Sequence, residues 1–164
     1  MLVRDGQQFK SKTKLIDKRE RILQAFAAFL SDFIYHLNQR SNEGWAIMVE
    51  GARDERALRR LGYVGGLATI SSFVRRGPRA FNGSRVVVLT DLDREGATLA
   101  SRFARKLSHE GLEASLVERR RLKAASRGVF LHIENLSRFA DSVERMNRKQ
   151  EFILSQILPE SKLS

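Results

Sequence analysis

Two runs of consecutive apolar residues stand out in a chain that is otherwise amphipathic. Trp45-Ala46-Ile47-Met48-Val49 and Val86-Val87-Val88-Leu89 show no polar alternation. Each therefore predicts a strand buried on both faces. Both runs end in acid: Glu50-Gly51 follows the first, and Thr90-Asp91-Leu92-Asp93-Arg94-Glu95-Gly96 follows the second. Helical periodicity fills much of the remainder. Ile22, Phe26, Phe29, Phe33 and Leu37 fall at steps of four, three, four and four, one stripe of a long amphipathic helix over residues 14–40. Ser41-Asn42-Glu43-Gly44 stops it. The stripe reads as a packing face against the domain, and the length of the helix leaves a homodimer through it open.

A helix over 53–61 places Ala57, Leu58 and Leu61 on its core side, with Arg53, Arg56 and Arg60 on another face. Gly62, Gly65 and Gly66 lead into a short strand near 67–70, and Arg75-Arg76-Gly77-Pro78-Arg79 reads as a basic loop. A helix over 96–110 carries Leu99, Phe103 and Leu107 inside, and Gly111 caps it. Glu113 to Val117 reads as a fourth strand, Arg119-Arg120-Arg121-Leu122-Lys123 as a basic run, and 138–157 as a last helix. Residues 1–13, polar and lysine-rich, read as a flexible basic arm. The order β-α-β-β-α-β predicts an α/β fold: a mostly parallel, four-stranded sheet with helices on both faces, plus the long N-terminal helix and a C-terminal helix and tail over 137–164.

That topology gives the acids a meaning. Open α/β sheets bind ligands at the carboxyl ends of their strands. Glu50 holds the same station on its strand as Asp91 on its own, so a parallel sheet brings Glu50, Asp91 and Asp93 to one edge. Asp91 and Asp93 point to the same side of an extended chain. Two such carboxylates repel unless a cation lies between them, Mg²⁺ being the usual one.

Composition narrows the partner. The net charge is +11, and arginine supplies 22 of the 30 basic residues. Arginine grips phosphate bidentately, so a polyanion is expected, nucleic acid before others. A length of 164 residues fits one domain with a core of its own. The absence of cysteine excludes structural disulfides and Cys-based zinc sites, and points to a reducing, cytoplasmic compartment. His36, His109 and His132 are scattered and read as surface or satisfied core residues rather than ligands. The N-terminus shows no secretory-leader pattern, and the longest apolar run, Ala25 to Leu30, is too short to span a bilayer. No membrane partner is expected.

Val49-Glu50-Gly51, with Asp54 and Leu58 behind it, and Thr90-Asp91-Leu92-Asp93-Arg94-Glu95-Gly96 together resemble the two motifs of the Toprim domain. That metal-binding module is shared by topoisomerases, primases, OLD-type nucleases and the ribonuclease that matures 5S ribosomal RNA. Leu92 stands where the type IA topoisomerase form has proline. The resemblance covers Trp45 to Leu116 within a Toprim segment of 41–136. His132-Ile133-Glu134-Asn135-Leu136 is similar to a C-terminal motif of small archaeal Toprim proteins.

The resemblance implies that Asp91 and Asp93 hold Mg²⁺ or Mn²⁺ and that Glu50 is a general base or acid. Glu95 would add a metal contact, or merely complement a helix N-terminus. Asp54 has the same two readings, the second preferred. Arg53, Arg56, Arg60, Arg75, Arg76, Arg94, Arg119, Arg120 and Arg121 are the candidates to bind nucleic acid. Rivals fit less well. A Walker B strand lacks its phosphate loop here, dehalogenase-type phosphatases have Thr where Glu95 stands, and receiver domains need an acidic pair on their first strand. The chain also lacks the gate of a topoisomerase and the extra modules of a primase. Mg²⁺-dependent, nuclease-like hydrolysis of RNA or DNA is the expected function. The alternative is a non-catalytic nucleic-acid-binding adaptor or accessory subunit of a processing complex.

Overall fold

The structure, a computed structural model, describes residues 5–157. Helix α1 (Asp5–Asn42) leads into β1 (Trp45–Val49), α2 (Ala52–Arg60), β2 (Leu67–Thr69) and α3 (Ile70–Arg76). A 3-10 turn at Gly77–Ala80 precedes β3 (Arg85–Val88), α4 (Arg94–His109), β4 (Glu113–Ser115) and α5 (Val117–Ser126). A second 3-10 segment, Ile133–Phe139, runs into α6 (Ala140–Ile157).

The sheet order is β2-β1-β3-β4, and every neighbouring pair is parallel. The two apolar runs thus hold the two central places, with Met48 opposite Val88. Side-chain alternation then divides the core. Trp45, Ile47, Val49, Val87 and Leu89 pack with Phe26, Leu30, Phe33 and Leu37 of α1 and with Ile133, Leu136, Phe139 and Val143. Ala46, Met48, Val86 and Val88 face the other way, onto Phe73, Phe81, Phe103 and Leu107. A buried Glu118 ties the layers at one side: it accepts from Ser115 Oγ at 2.6 Å and lies 3.2 Å from Arg40 Nε of α1. Among the described residues no helix is long and apolar enough to cross a membrane.

Four expectations change. Helix α1 starts at Asp5, so most of the segment read as a loose arm is helical, and residues 1–4 lie outside the described residues. Beyond Gly6, the stretch 7–14 has no glycine or proline, and its Gln and Lys are good helix formers even without an apolar stripe. Ile22, read as part of the packing stripe, is exposed, whereas Leu30 and Ile34 join the buried face. The expected loop at Arg75 and Arg76 is instead the last turn of α3, begun by Thr69, whose hydroxyl accepts from Ser72 N–H. Every sheet crossover therefore contains a helix.

The basic run is also dispersed. It lies on α5, and successive residues of a helix point about 100° apart. Arg119 is buried at 6% exposure. Arg120 faces an open cleft beside Trp45 and Glu113, at the amino ends of the strands. Arg121 rims an apolar groove with Phe29 and Val129. The three arginines do not form one patch.

Candidate functional site

The carboxyl ends of β1 and β3 meet in space. Glu50 leaves β1, and its Oε1 accepts a hydrogen bond from the backbone N–H of Asp91 at 2.9 Å. Asp91 in turn accepts from Ile133 N–H on Oδ1 at 2.8 Å, and its Oδ2 lies 2.8 Å from His132 Nδ1. Asp93 Oδ1 accepts from Gly96 N–H at 2.7 Å, which makes Asp93 the N-cap of α4. The acid loop is thus fastened to β1, to α4 and to the segment before the second 3-10 turn. Leu92 N–H adds a further tie, to Leu131 carbonyl at 2.6 Å.

Arg119 supports this loop from beneath. Its Nε donates to Thr90 Oγ1 at 3.1 Å and to the Asp91 carbonyl at 3.2 Å. Its Nη2 donates to the Asp93 carbonyl at 3.2 Å and to that of Asp91. Burial lowers its pKa, while Asp93, Glu50 and Asp91 pull it back up. Arg119, expected on a phosphate-binding surface, is instead buried, with its Nε and Nη2 engaged by the Asp91 and Asp93 carbonyls and the Thr90 hydroxyl. Each buried acceptor left unpaired costs about 1–3 kcal/mol. Arg119→Met is expected to lower the unfolding free energy by about 3 kcal/mol, read as a lower urea midpoint at unchanged slope. Arg120→Ala, at an exposed neighbour, should stay within about 0.5 kcal/mol of wild type.

The electrostatics follow from crowding. Burial raises the pKa of Glu50, the Asp91 N–H bond opposes this, and the charges of Asp91, Asp54 and Asp93 raise it further. Asp54 is buried and also raised, chiefly by desolvation. Its Oδ2 accepts from Gly51 N–H at 3.0 Å, closing the first turn of α2, so the helix-terminus reading of Asp54 has a direct contact behind it. His132 is raised by its hydrogen bond to Asp91 and by that carboxylate's charge.

Asp91, Asp93 and His132 each offer one ligand atom, all within 4.8 Å of one another. Two carboxylates and an imidazole at that spacing are a donor set that suits a divalent cation. Glu50 stands beside this group rather than in it, and Glu95 is not a member. Glu95 lies exposed on the first turn of α4, where an acid complements the helix end. His132, read from sequence as a bystander, is the addition. Around the site, Arg94 directly follows Asp93, and Arg53 lies 3.6 Å from Glu134, two residues past His132. Arg56, Arg60, Arg75 and Arg76 are exposed on α2 and α3.

No family model matches the chain. A putative protein from Aquifex aeolicus has a similar structure, with a TM-score of 0.53 at 24% identity over 64% of this chain and 95% of its own. That likeness concerns the fold. In sequence, a UPF0292 protein of Pyrococcus horikoshii is 38% identical over 99 residues, 59% of this chain and 74% of the relative. A UPF0292 protein of Methanosarcina barkeri is 34% identical over 110 residues, 65% of this chain and 77% of the relative. With three quarters of such relatives matched at this identity, the chain belongs to the UPF0292 family.

Proposed function

We propose that the protein is a Toprim-type, divalent-metal-dependent phosphodiesterase acting on RNA or DNA. One observation carries the reading: Glu50 and Asp91, at the ends of adjacent central strands, are joined by a 2.9 Å hydrogen bond. Asp91 and Asp93 would hold Mg²⁺ or Mn²⁺. A bound ion of this kind polarises a phosphate oxygen and orients water. Glu50 holds and moves the proton at Oε2, since Oε1 is occupied by the Asp91 N–H. Its raised pKa brings it nearer the range in which a carboxyl group exchanges protons at working pH. Arg119 keeps the loop in place, and Arg53 and Arg94 flank the site with exposed positive charge.

A specific observation favours the adaptor reading as the second. Both oxygens of Asp91 already have partners within the chain, Ile133 N–H and His132. A site so satisfied could serve the fold alone, with the +11 charge attracting nucleic acid.

Labelled RNA and DNA, single- and double-stranded, incubated with Mg²⁺, Mn²⁺ or EDTA, separate the two. Cleavage with either metal and none in EDTA is the expected result. Binding without cleavage on every substrate favours the adaptor, and no binding at low salt rejects both. Counterion release makes affinity fall with salt. For the pair Arg53→Ala/Arg94→Ala, the log–log salt slope of binding should flatten by about two units if each arginine meets one phosphate.

A further inference from the structure

We propose that His132 is a metal ligand through Nδ1, which makes the centre a carboxylate–imidazole site that takes a first-row transition ion in preference to Mg²⁺. The inference rests on the divalent-cation reading of Asp91 and Asp93 given above.

The placement of the ring carries it. Although exposed, His132 turns Nδ1 inward, 2.8 Å from Asp91 Oδ2. Two neighbouring ligands of an octahedral ion, each about 2.1 Å from it, lie about 3 Å apart. The observed spacing is close to that edge, so a cation needs little rearrangement to take both atoms. Asp93 supplies the third ligand atom within the same 4.8 Å group.

The backbone around His132 is held as a ligand-bearing segment must be. Leu131 carbonyl accepts from Leu92 N–H, and Ile133 N–H donates to Asp91 Oδ1. His132 is thus clasped between two bonds to the Asp91–Leu92 pair. Ile133 and Leu136 are buried at 0% and 1% exposure and plug the following turn into the core.

Chemistry then sets the selectivity. Mg²⁺ prefers oxygen donors and holds its waters, whereas an imidazole nitrogen raises affinity for first-row transition ions. The competing account makes His132 an internal counter-ion that a metal must displace. The two accounts predict opposite effects of removing the ring.

The test measures Mn²⁺, Co²⁺ and Mg²⁺ affinity by calorimetry on the full chain, wild type and His132→Ala. If His132 is a ligand, Mn²⁺ and Co²⁺ affinity falls by about tenfold or more while Mg²⁺ affinity moves by less than threefold. Pulsed EPR of the Mn²⁺-loaded wild type should show nitrogen coupling from a coordinated imidazole, absent in His132→Ala. Tighter binding of all three ions in His132→Ala overturns the proposal, as does Mn²⁺ bound without nitrogen coupling. In both cases the carboxylate site stands. A wild type that binds none of the three ions overturns the cation reading as well. Circular dichroism of His132→Ala, which trims an exposed ring, confirms that the comparison is made on folded protein.

Discussion

Replacing Glu50 by Gln is expected to lower the cleavage rate about 10²–10⁴-fold while leaving nucleic-acid affinity nearly intact. The change is conservative where the structure needs it to be. A Gln Oε1 still accepts the Asp91 N–H, so the loop that carries Asp91 and Asp93 keeps its tie to β1. What disappears is the proton at the other oxygen. Mn²⁺ should not restore the rate, because Asp91 and Asp93 remain.

The same variant has a stability signature with a defined sign. Burial and three neighbouring carboxylates raise the Glu50 pKa in the folded chain. The ionised side chain is therefore disfavoured in the fold. Its contribution to stability is fully present below the unfolded pKa, near 4.3, and is lost as pH rises through the folded value. At neutral pH the native Glu50 is a cost. Glu50→Gln should then melt higher than wild type at pH 7 without metal, and the advantage should vanish below about pH 4. Gain of stability with loss of rate is the pattern of a strained site. A Glu50→Gln protein that cleaves like wild type, or wild-type cleavage that persists in EDTA, rejects the mechanism.

The readable parts of this chain were those in which one residue class settles the question. Five consecutive apolar residues at 45–49 can only be a strand covered on both faces or a buried helix turn, and the glycine after Glu50 decides for the strand. Once both runs are parallel neighbours, the acids that end them must share an edge. Helix α3 was not legible because its seven residues, two of them serines, give no periodicity, and Thr69, its N-cap, reads as a strand residue. Arg119 was hidden for a different reason. The buried face of α5 consists of Glu118, Arg119, Leu122 and Ser126, a single apolar residue among four. No hydropathy pattern shows which of three adjacent arginines turns inward. His132 reaches the site through the packing of Ile133–Phe139 against α2, a tertiary fact. Its only sequence signal was the short motif in which it stands.

Two glycines that look alike in the sequence should behave in opposite ways. Gly51 and Gly96 each follow a glutamate and each lie at the start of a helix, Gly51 as the N-cap of α2 and Gly96 in the first turn of α4. Gly96 packs its Cα against the Asp91 backbone, and an added Cβ would fall on the Asp91 carbonyl oxygen, far inside van der Waals contact. That oxygen is also the acceptor for Arg119. Gly96→Ala must therefore push the loop away from α4 or from Arg119, and either movement shifts the Asp91 carboxylate. Overpacking of this kind costs about 1–3 kcal/mol, with a weakened charged hydrogen bond in addition, so about 3 kcal/mol is expected overall. Mn²⁺ affinity should fall with it, since the spacing of Asp91, Asp93 and His132 depends on that backbone. Gly51 instead has an extended backbone, φ −148°, and nothing within 4 Å of an added Cβ. Gly51→Ala should keep its stability within about 0.5 kcal/mol and its metal affinity unchanged. If it nevertheless loses cleavage, the open space over Gly51 is where the phosphate chain passes. Urea melts and Mn²⁺ titrations of the two alanine variants, side by side, decide the matter. A Gly96→Ala protein as stable as Gly51→Ala would mean that the close approach of α4 to Asp91, on which the geometry of the site depends, is not present in solution.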